Sequence, residues 1–123
     1  MVVTPVGTTI SITATAAIST GVTLTLAAPA AGLFHYIALV QMSLFAGAAL
    51  TPAATPVLVT TTNLNGNPTY DFNNAGAQGT ITFRDWSPSI PIKSAVAATA
   101  TTIVAPVLTG GIWRLTAYYF VGP

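Results

Sequence analysis

Charged side chains are nearly absent from this 123-residue chain. It contains only three cations and two carboxylates, a single histidine, and neither glutamate nor cysteine. The five charges are Asp71, Arg84, Asp85, Lys93 and Arg114. General acid–base catalysis needs a titratable side chain at the reacting atoms, and most metal sites need clustered His, Cys, Asp or Glu. We therefore expect no enzyme activity, no catalytic residue, no cofactor and no bound metal.

Other scarce features exclude further classes of protein. Without cysteine there is no disulfide framework. A net charge of +1 provides no basic patch for nucleic acid. Residues 1–5, MVVTP, contain no Lys or Arg and no long apolar run, so no secretory signal is expected. Residues 32–50 are uncharged and long enough to cross a bilayer, but they lack flanking cations and are interrupted by His35, Gln41 and Ser43. We therefore expect no membrane span.

The residues that are abundant favour a β-fold. Apolar residues make up 52% of the chain, and Thr and Val, which dominate it together with Ala, are β-branched and suit a pleated sheet. Nine Pro and ten Gly divide the chain into short segments, a pattern typical of many short strands joined by turns. The length fits one domain, residues 1–123.

Two segments give the clearest strand predictions. Residues 34–46 are apolar on both alternating faces, so we expect a central strand there, with a helix as the alternative. In residues 112–121, the face that holds Trp113, Leu115 and Ala117 is the more apolar, and we expect it to line the core.

Shorter segments complete the predicted fold. Asn65-Gly66 is the strongest turn signal, because both residues tolerate positive φ. The other predicted strands cover residues 8–14, 22–27, 56–62, 69–72, 80–84 and 99–104. This number and spacing of strands predicts an all-β fold, a single jelly-roll-like β-sandwich of about eight antiparallel strands.

The isolated polar residues do not combine into a chemical site. His35 lies in an apolar strand, where a lone histidine is more often packed and hydrogen-bonded than a general base. Asp71 is followed by Asn73 and Asn74, but one carboxylate is too few for a calcium loop, and we expect Asp71 to be a turn residue. Because only His35 titrates near neutrality, we expect stability to change little from about pH 5 to 9.

A surface with so little charge resists self-association poorly. We expect it to be covered by further copies or by another protein, the alternative being a soluble monomer with a Thr- and Ser-rich surface. Trp and Arg are common interface hot spots, and we expect Trp86 at an exposed edge, so that its loss weakens attachment to a partner. The predicted interface residues are Arg84, Asp85, Trp86, Lys93 and Arg114.

Four segments support a family resemblance. They are TTISITATAAISTGVTLTLAA, FHYIALVQM, ATPVLVTTTNLNG and IWRLTAYYFVGP. Together with the missing cysteine and charge, they make the chain similar to jelly-roll capsid decoration (cement) proteins of tailed bacteriophages. The resemblance implies a dimer or trimer, made in the host cytoplasm, that binds the major capsid protein lattice on the virion exterior and stabilises it. Two other functions stay open: a carbohydrate-binding head of a phage fibre or spike, and a self-assembling minor coat protein.

Overall fold

A computed structural model describes residues 6–123, with side chains from residue 9 onward, so the segment examined for a secretory signal lies outside the described residues. The described chain consists of nine strands joined by turns and loops. The strands are β1 (Val6–Thr15), β2 (Val22–Leu26), β3 (Phe34–Ala46), β4 (Val57–Thr62), β5 (Tyr70–Phe72), β6 (Ile81–Trp86), β7 (Ile92–Lys93), β8 (Thr101–Ala105) and β9 (Gly111–Gly122). This part of the chain contains no helix that is long and apolar enough to cross a membrane.

The strands form two antiparallel sheets that pack against each other. The larger sheet has the order β1-β9-β3-β6, with the short β7 also paired to β3, and the smaller sheet has the order β2-β8-β4-β5. Among the eight longer strands, every connection except the one from β4 to β5 leaves one sheet for the other. This alternation is the jelly-roll arrangement, so the predicted all-β sandwich is confirmed.

Strand β3 has the predicted bounds and lies in the middle of the larger sheet, between β9 and β6. A bulge between Ile37 and Leu39 interrupts its alternation. Because the extra residue shifts the period by one, Ile37 and Val40 both point into the core. Uninterrupted alternation would instead put Tyr36 on the same face as Val40. Tyr36 lies on the outer face, where its ring stacks on Phe120 with 5.1 Å between centroids.

The core between the sheets is built around Trp113, which is fully buried. Its indole ring meets the Phe72 ring of the smaller sheet edge to face, with 5.0 Å between centroids. The indole Nε1 donates to the Pro106 carbonyl oxygen at 2.8 Å, so its one polar atom is satisfied. Leu115 and Ala117 are buried beside it, which confirms the predicted core face of β9.

The Asn65-Gly66 turn occurs where it was predicted. The amide of Asn67 donates to the carbonyl of Leu64 at 2.9 Å and closes a turn around this pair. Gly66 has a φ of 76° and Asn65 does not have a positive φ. The turn is therefore of type II, which needs a glycine-compatible φ only at its second central residue.

Replacing Trp113 by Ala is expected to lower the free energy of unfolding by about 3–5 kcal/mol, because it leaves a large cavity at the centre of the core. Urea unfolding followed by fluorescence of the remaining tryptophan, or by circular dichroism, measures the loss. Val107→Ala provides the control: Val107 is 70% exposed, and its truncation is expected to change stability by no more than about 0.5 kcal/mol. Equal losses in the two variants would contradict the central position of Trp113.

Candidate interaction surface

The outer face of the larger sheet, turned away from the smaller sheet, places side chains of β9, β3 and β6 in three cross-strand rows. We call these nine residues the outer patch. In the order β9, β3, β6, the rows are Ile112–Phe45–Ile81, Arg114–Ser43–Phe83 and Thr116–Gln41–Asp85. The first row is entirely apolar and the third entirely polar. The patch is therefore divided into an apolar end and a polar end.

Strand β6 is inverted compared with an ordinary half-buried strand. Its register on β3 turns Ile81 and Phe83 to the outside, while Thr82 and Arg84 lie on the side that faces the smaller sheet. As a result, Phe83 is 68% exposed and Ile81 49% exposed. Alternation in a sheet normally hides the apolar face and exposes the polar one. Clusters of exposed large apolar side chains are typical of surfaces that contact another molecule.

The polar end of the outer patch contains one charge of each sign. Arg114 on β9 and Asp85 on β6 lie on opposite sides of β3. Both line a shallow depression of about 370 Å³, with the ring of Phe83 at its wall. Gln41, Met42, Ser43 and Thr116 complete the lining. The depression thus combines a cation, an anion, neutral hydrogen-bonding groups and an exposed aromatic ring.

Two of the five predicted interface residues, Asp85 and Arg114, are thus brought together on this face. Lys93 lies apart from them on β7, where its Nζ is 4.1 Å from the centroid of the Phe34 ring. That distance fits a cation–π contact with a ring of the same sheet. Lys93 therefore covers an aromatic ring and is not part of the outer patch.

The remaining two predicted residues, Arg84 and Trp86, lie on the inward side of β6. The Arg84 Nε donates to the carbonyl oxygen of Asp71 at 2.9 Å, which links β6 to the edge of the smaller sheet. Trp86 is on an edge strand, as expected, but its ring turns inward and packs against the core, with its centroid 5.7 Å from that of Tyr70. The expectation that Trp86 stands exposed is corrected, because pairing with Val40 fixes its direction.

Sequence reasoning missed the apolar half of the outer patch, namely Phe45, Ile81, Phe83 and Ile112. The available signal was in ITFRDW itself, where each alternating face contains one large aromatic ring. Only one of the rings, Phe83 or Trp86, faces the core in a regular strand. The other must lie outside, and the pattern alone does not say which.

His35 is fully buried at one end of the sandwich. Its Nε2 lies 2.8 Å from the Ala27 carbonyl oxygen, which only accepts, so Nε2 bears the proton. Its Nδ1 accepts from the Thr101 hydroxyl at 2.8 Å, and that hydroxyl accepts from the Asn63 amide at 3.1 Å. Burial lowers the pKa of His35, although the bond to Ala27 opposes part of the effect. The predicted packed, hydrogen-bonded histidine is confirmed.

The oxygen-rich segment after β5 braces a loop. Asn74 Oδ1 accepts from the amide of Ala53 at 3.3 Å, and its Nδ2 donates to the carbonyl of Thr55 at 3.0 Å. Asn73 accepts from the amide of Ala75 at 2.9 Å. Asp71 lies within β5 and not in a turn, because its strand pairs it with Leu58. The expectation of a turn residue at Asp71 was wrong. Residues 6–123 contain no group of three or more His, Cys, Asp or Glu side chains that could hold a metal ion.

Comparison with known proteins does not assign the chain to a family. No protein-family model matches it, and no curated protein matches it at a significant level. The class that the structure defines is the jelly-roll β-sandwich, a fold that serves both viral capsids and lectins. A fold shared by such different proteins does not by itself specify a function. The outer patch is the feature of this sandwich that points to a function.

Stability is expected to fall as the pH drops below about 6.5. Since the pKa of folded His35 lies below the ordinary value of 6.5, the unfolded chain binds the proton first. The free energy of unfolding is then at its full value above pH 6.5 and decreases by up to about 1.4 kcal/mol per pH unit below it, until the folded pKa is reached. The sequence led us to expect stability that changes little from about pH 5 to 9. The lowered pKa of His35 restricts that expectation to the range above pH 6.5.

The measurement is urea unfolding at about pH 7.5 and about pH 5.5, compared with a His35→Gln variant. The variant has no imidazole, so its stability is expected to vary less between the two conditions. The same pH dependence in both proteins would show that His35 is not its source.

Proposed function

We propose that this chain is a non-enzymatic structural protein of a virion, a capsid decoration (cement) protein that binds the major capsid protein lattice and stabilises it. The observation that supports this proposal is the inversion of β6, which exposes Ile81 and Phe83 beside Phe45 on one sheet face. Burial of these side chains against another protein returns the free energy lost by exposing them, about 25 cal/mol for each Å² of apolar surface. A chain with five charges offers little repulsion against such contacts.

Further apolar contacts are available at both ends of the sandwich. Ile18 and Val107, in the loops after β1 and after β8, are 47% and 70% exposed. Ile90 and Val96, on either side of β7, are 56% and 57% exposed. A protein that cross-links a lattice needs more than one contact surface. Several weak contacts acting together gain affinity, because each one holds the next at high effective concentration.

The mechanism is adhesive, and it needs no titrating group. One specific protein contact usually buries about 1,600 Å² in total. The rows of the outer patch, flanked on β1 by Thr13 and Thr15, supply a regular part of such a contact. The cation and the anion at its polar end determine the orientation of the partner, since mismatched charges are costly when they are desolvated.

A carbohydrate-binding head of a fibre or spike is the second candidate. The depression beside Phe83 favours it, because sugars stack on aromatic rings and bond to groups such as Asp85, Gln41 and Arg114. Trp86 does not add a second ring to this site, since it packs inward on Tyr70. Binding on a glycan array, abolished in a Phe83→Ser variant, would favour the carbohydrate function over the structural one.

The native mass of the purified protein distinguishes a self-assembling coat protein from a decoration protein. We expect small oligomers when the chain is made alone, and co-sedimentation with large particles only when it is produced together with a capsid protein encoded near it. Closed particles formed by the chain alone would favour the coat protein.

Replacing Phe83 by Ser is expected to reduce co-sedimentation with capsid particles by about tenfold or more, while the melting temperature changes little, because the ring is exposed. Leu58→Ser is the matched control. Leu58 is 40% exposed, and its strand, β4, belongs to the smaller sheet. If Phe83→Ser attaches like the wild type, or if the two variants lose attachment equally, the outer patch is not the docking surface.

A further inference from the structure

We infer that a second copy of this chain covers the outer patch, and that the two copies are related by a two-fold axis running along β3. The inference depends on the self-complementary arrangement of one cation, one anion and four apolar side chains on this face. The inference concerns the free protein, in which the second copy occupies the outer patch until a capsid subunit displaces it. It rests on the proposed function only in that both treat the outer patch as an association surface.

The order of the strands determines which residues such an axis brings together. Strand β3 lies between β9 and β6, and the flanking strands are each about 4.8 Å away from it. A two-fold axis that lies in the contact plane and is parallel to β3 exchanges the two flanking strands. Strand β9 of one copy then faces β6 of the other, and each cross-strand row faces the same row of the second copy. Such an interface is isologous, so each contact away from the axis occurs twice.

In the apolar row, this rotation brings apolar side chains of the two copies into contact. Ile112 faces Ile81 of the partner subunit, and Phe45 faces Phe45 of the partner subunit. Sheets that pack face to face lie about 10 Å apart, which is the space that two layers of such side chains fill. The exposed apolar groups of β6 are thereby removed from water.

In the two other rows, the rotation pairs the charges. Arg114 lies over Phe83 of the partner subunit, in a position to make a cation–π contact. Asp85 of the partner subunit is one row further along, next to Thr116, and is within reach of the long arginine side chain. Because these contacts lie away from the axis and each occurs twice, two cations meet two anions and no charge remains alone. Only neutral side chains, Ser43 and Gln41, face their own copies in these rows.

The alternative axis, at right angles to the strands and centred on the same patch, is disfavoured. It would place β9 against β9 and β6 against β6. With this axis through the middle row, Arg114 would face its own copy, and Asp85 would face Ile81 of the partner subunit. Like charges brought together in an interface cost several kcal/mol and exclude that arrangement. The charge pattern thus selects the axis along β3.

Charge reversal tests the inference. Sedimentation equilibrium of the purified protein alone is expected to give a dimer at micromolar concentration. Arg114→Asp and Asp85→Arg are each expected to weaken the dimer by about tenfold or more, and the double variant to restore it, because the exchange recreates the pairs in reverse. Arg84→Asp is the control: it makes the same change of charge on the inward side of β6 and is expected to leave the dimer intact. Circular dichroism verifies that each variant is folded.

Cross-linking provides a second measurement, one that does not depend on weakening the dimer. The chain contains no cysteine, so Gln41→Cys introduces a single thiol next to the axis. A short bismaleimide is expected to join two such chains and to fail with Thr25→Cys, whose side chain is exposed on a strand of the smaller sheet.

A monomeric or trimeric wild type, unaffected single variants, a double variant that stays dissociated, or equal cross-linking at the two cysteines would each overturn the inference. A charge-dependent dimer that does not bind capsid particles would support it and remove the proposed function. A monomer that binds such particles would do the reverse.

Discussion

The fold depends on one chain of buried hydrogen bonds at an end of the sandwich. Asn63 donates to Thr101, Thr101 donates to His35, and His35 donates to the carbonyl of Ala27. The His35 amide also donates to Ser94. This series of hydrogen bonds therefore joins both sheets and three of the loops that connect the strands. No buried side-chain nitrogen or oxygen among the described residues lacks a partner. Loss of one member would leave its neighbours unpaired where water does not reach, which costs more than a single bond.

Packing of Trp86 in the interior explains how β6 can expose its apolar face. A slip of one residue against β3 would turn Ile81 and Phe83 inward, but it would also turn Trp86 outward. Trp86 packs against the core and beside Tyr70, and a tryptophan is the largest apolar group that the strand can bury. The native register therefore keeps the larger ring inside. The two exposed side chains then become available to a partner at no further cost in folding.

The sequence predicted the fold better than the surface, because strands and turns are encoded by neighbouring residues and the exposed surface is not. Alternation and turn residues located the strands, because period two and positive φ are properties of neighbouring residues. The bulge at Ile37–Leu39 was not predictable, since it is determined by the pairing with β9. The scarcity of charge singled out Asp85 and Arg114, whereas Phe83 was not recognised as an exposed residue. The direction of an edge strand with an aromatic ring on each face is decided by packing between strands far apart in the chain.

The position of β9 has a consequence for how the protein is made. This strand lies between β1 and β3 in the larger sheet, and within residues 6–123 β1 pairs with no other strand there. A ribosome releases β1 about a hundred residues before β9, so the sheet stays open along two edges until translation has passed β9. Pairing between such distant segments is slow, because a long loop must close first. With so few charges to keep nascent chains apart, the open edges are the stage at which the protein is most exposed to aggregation.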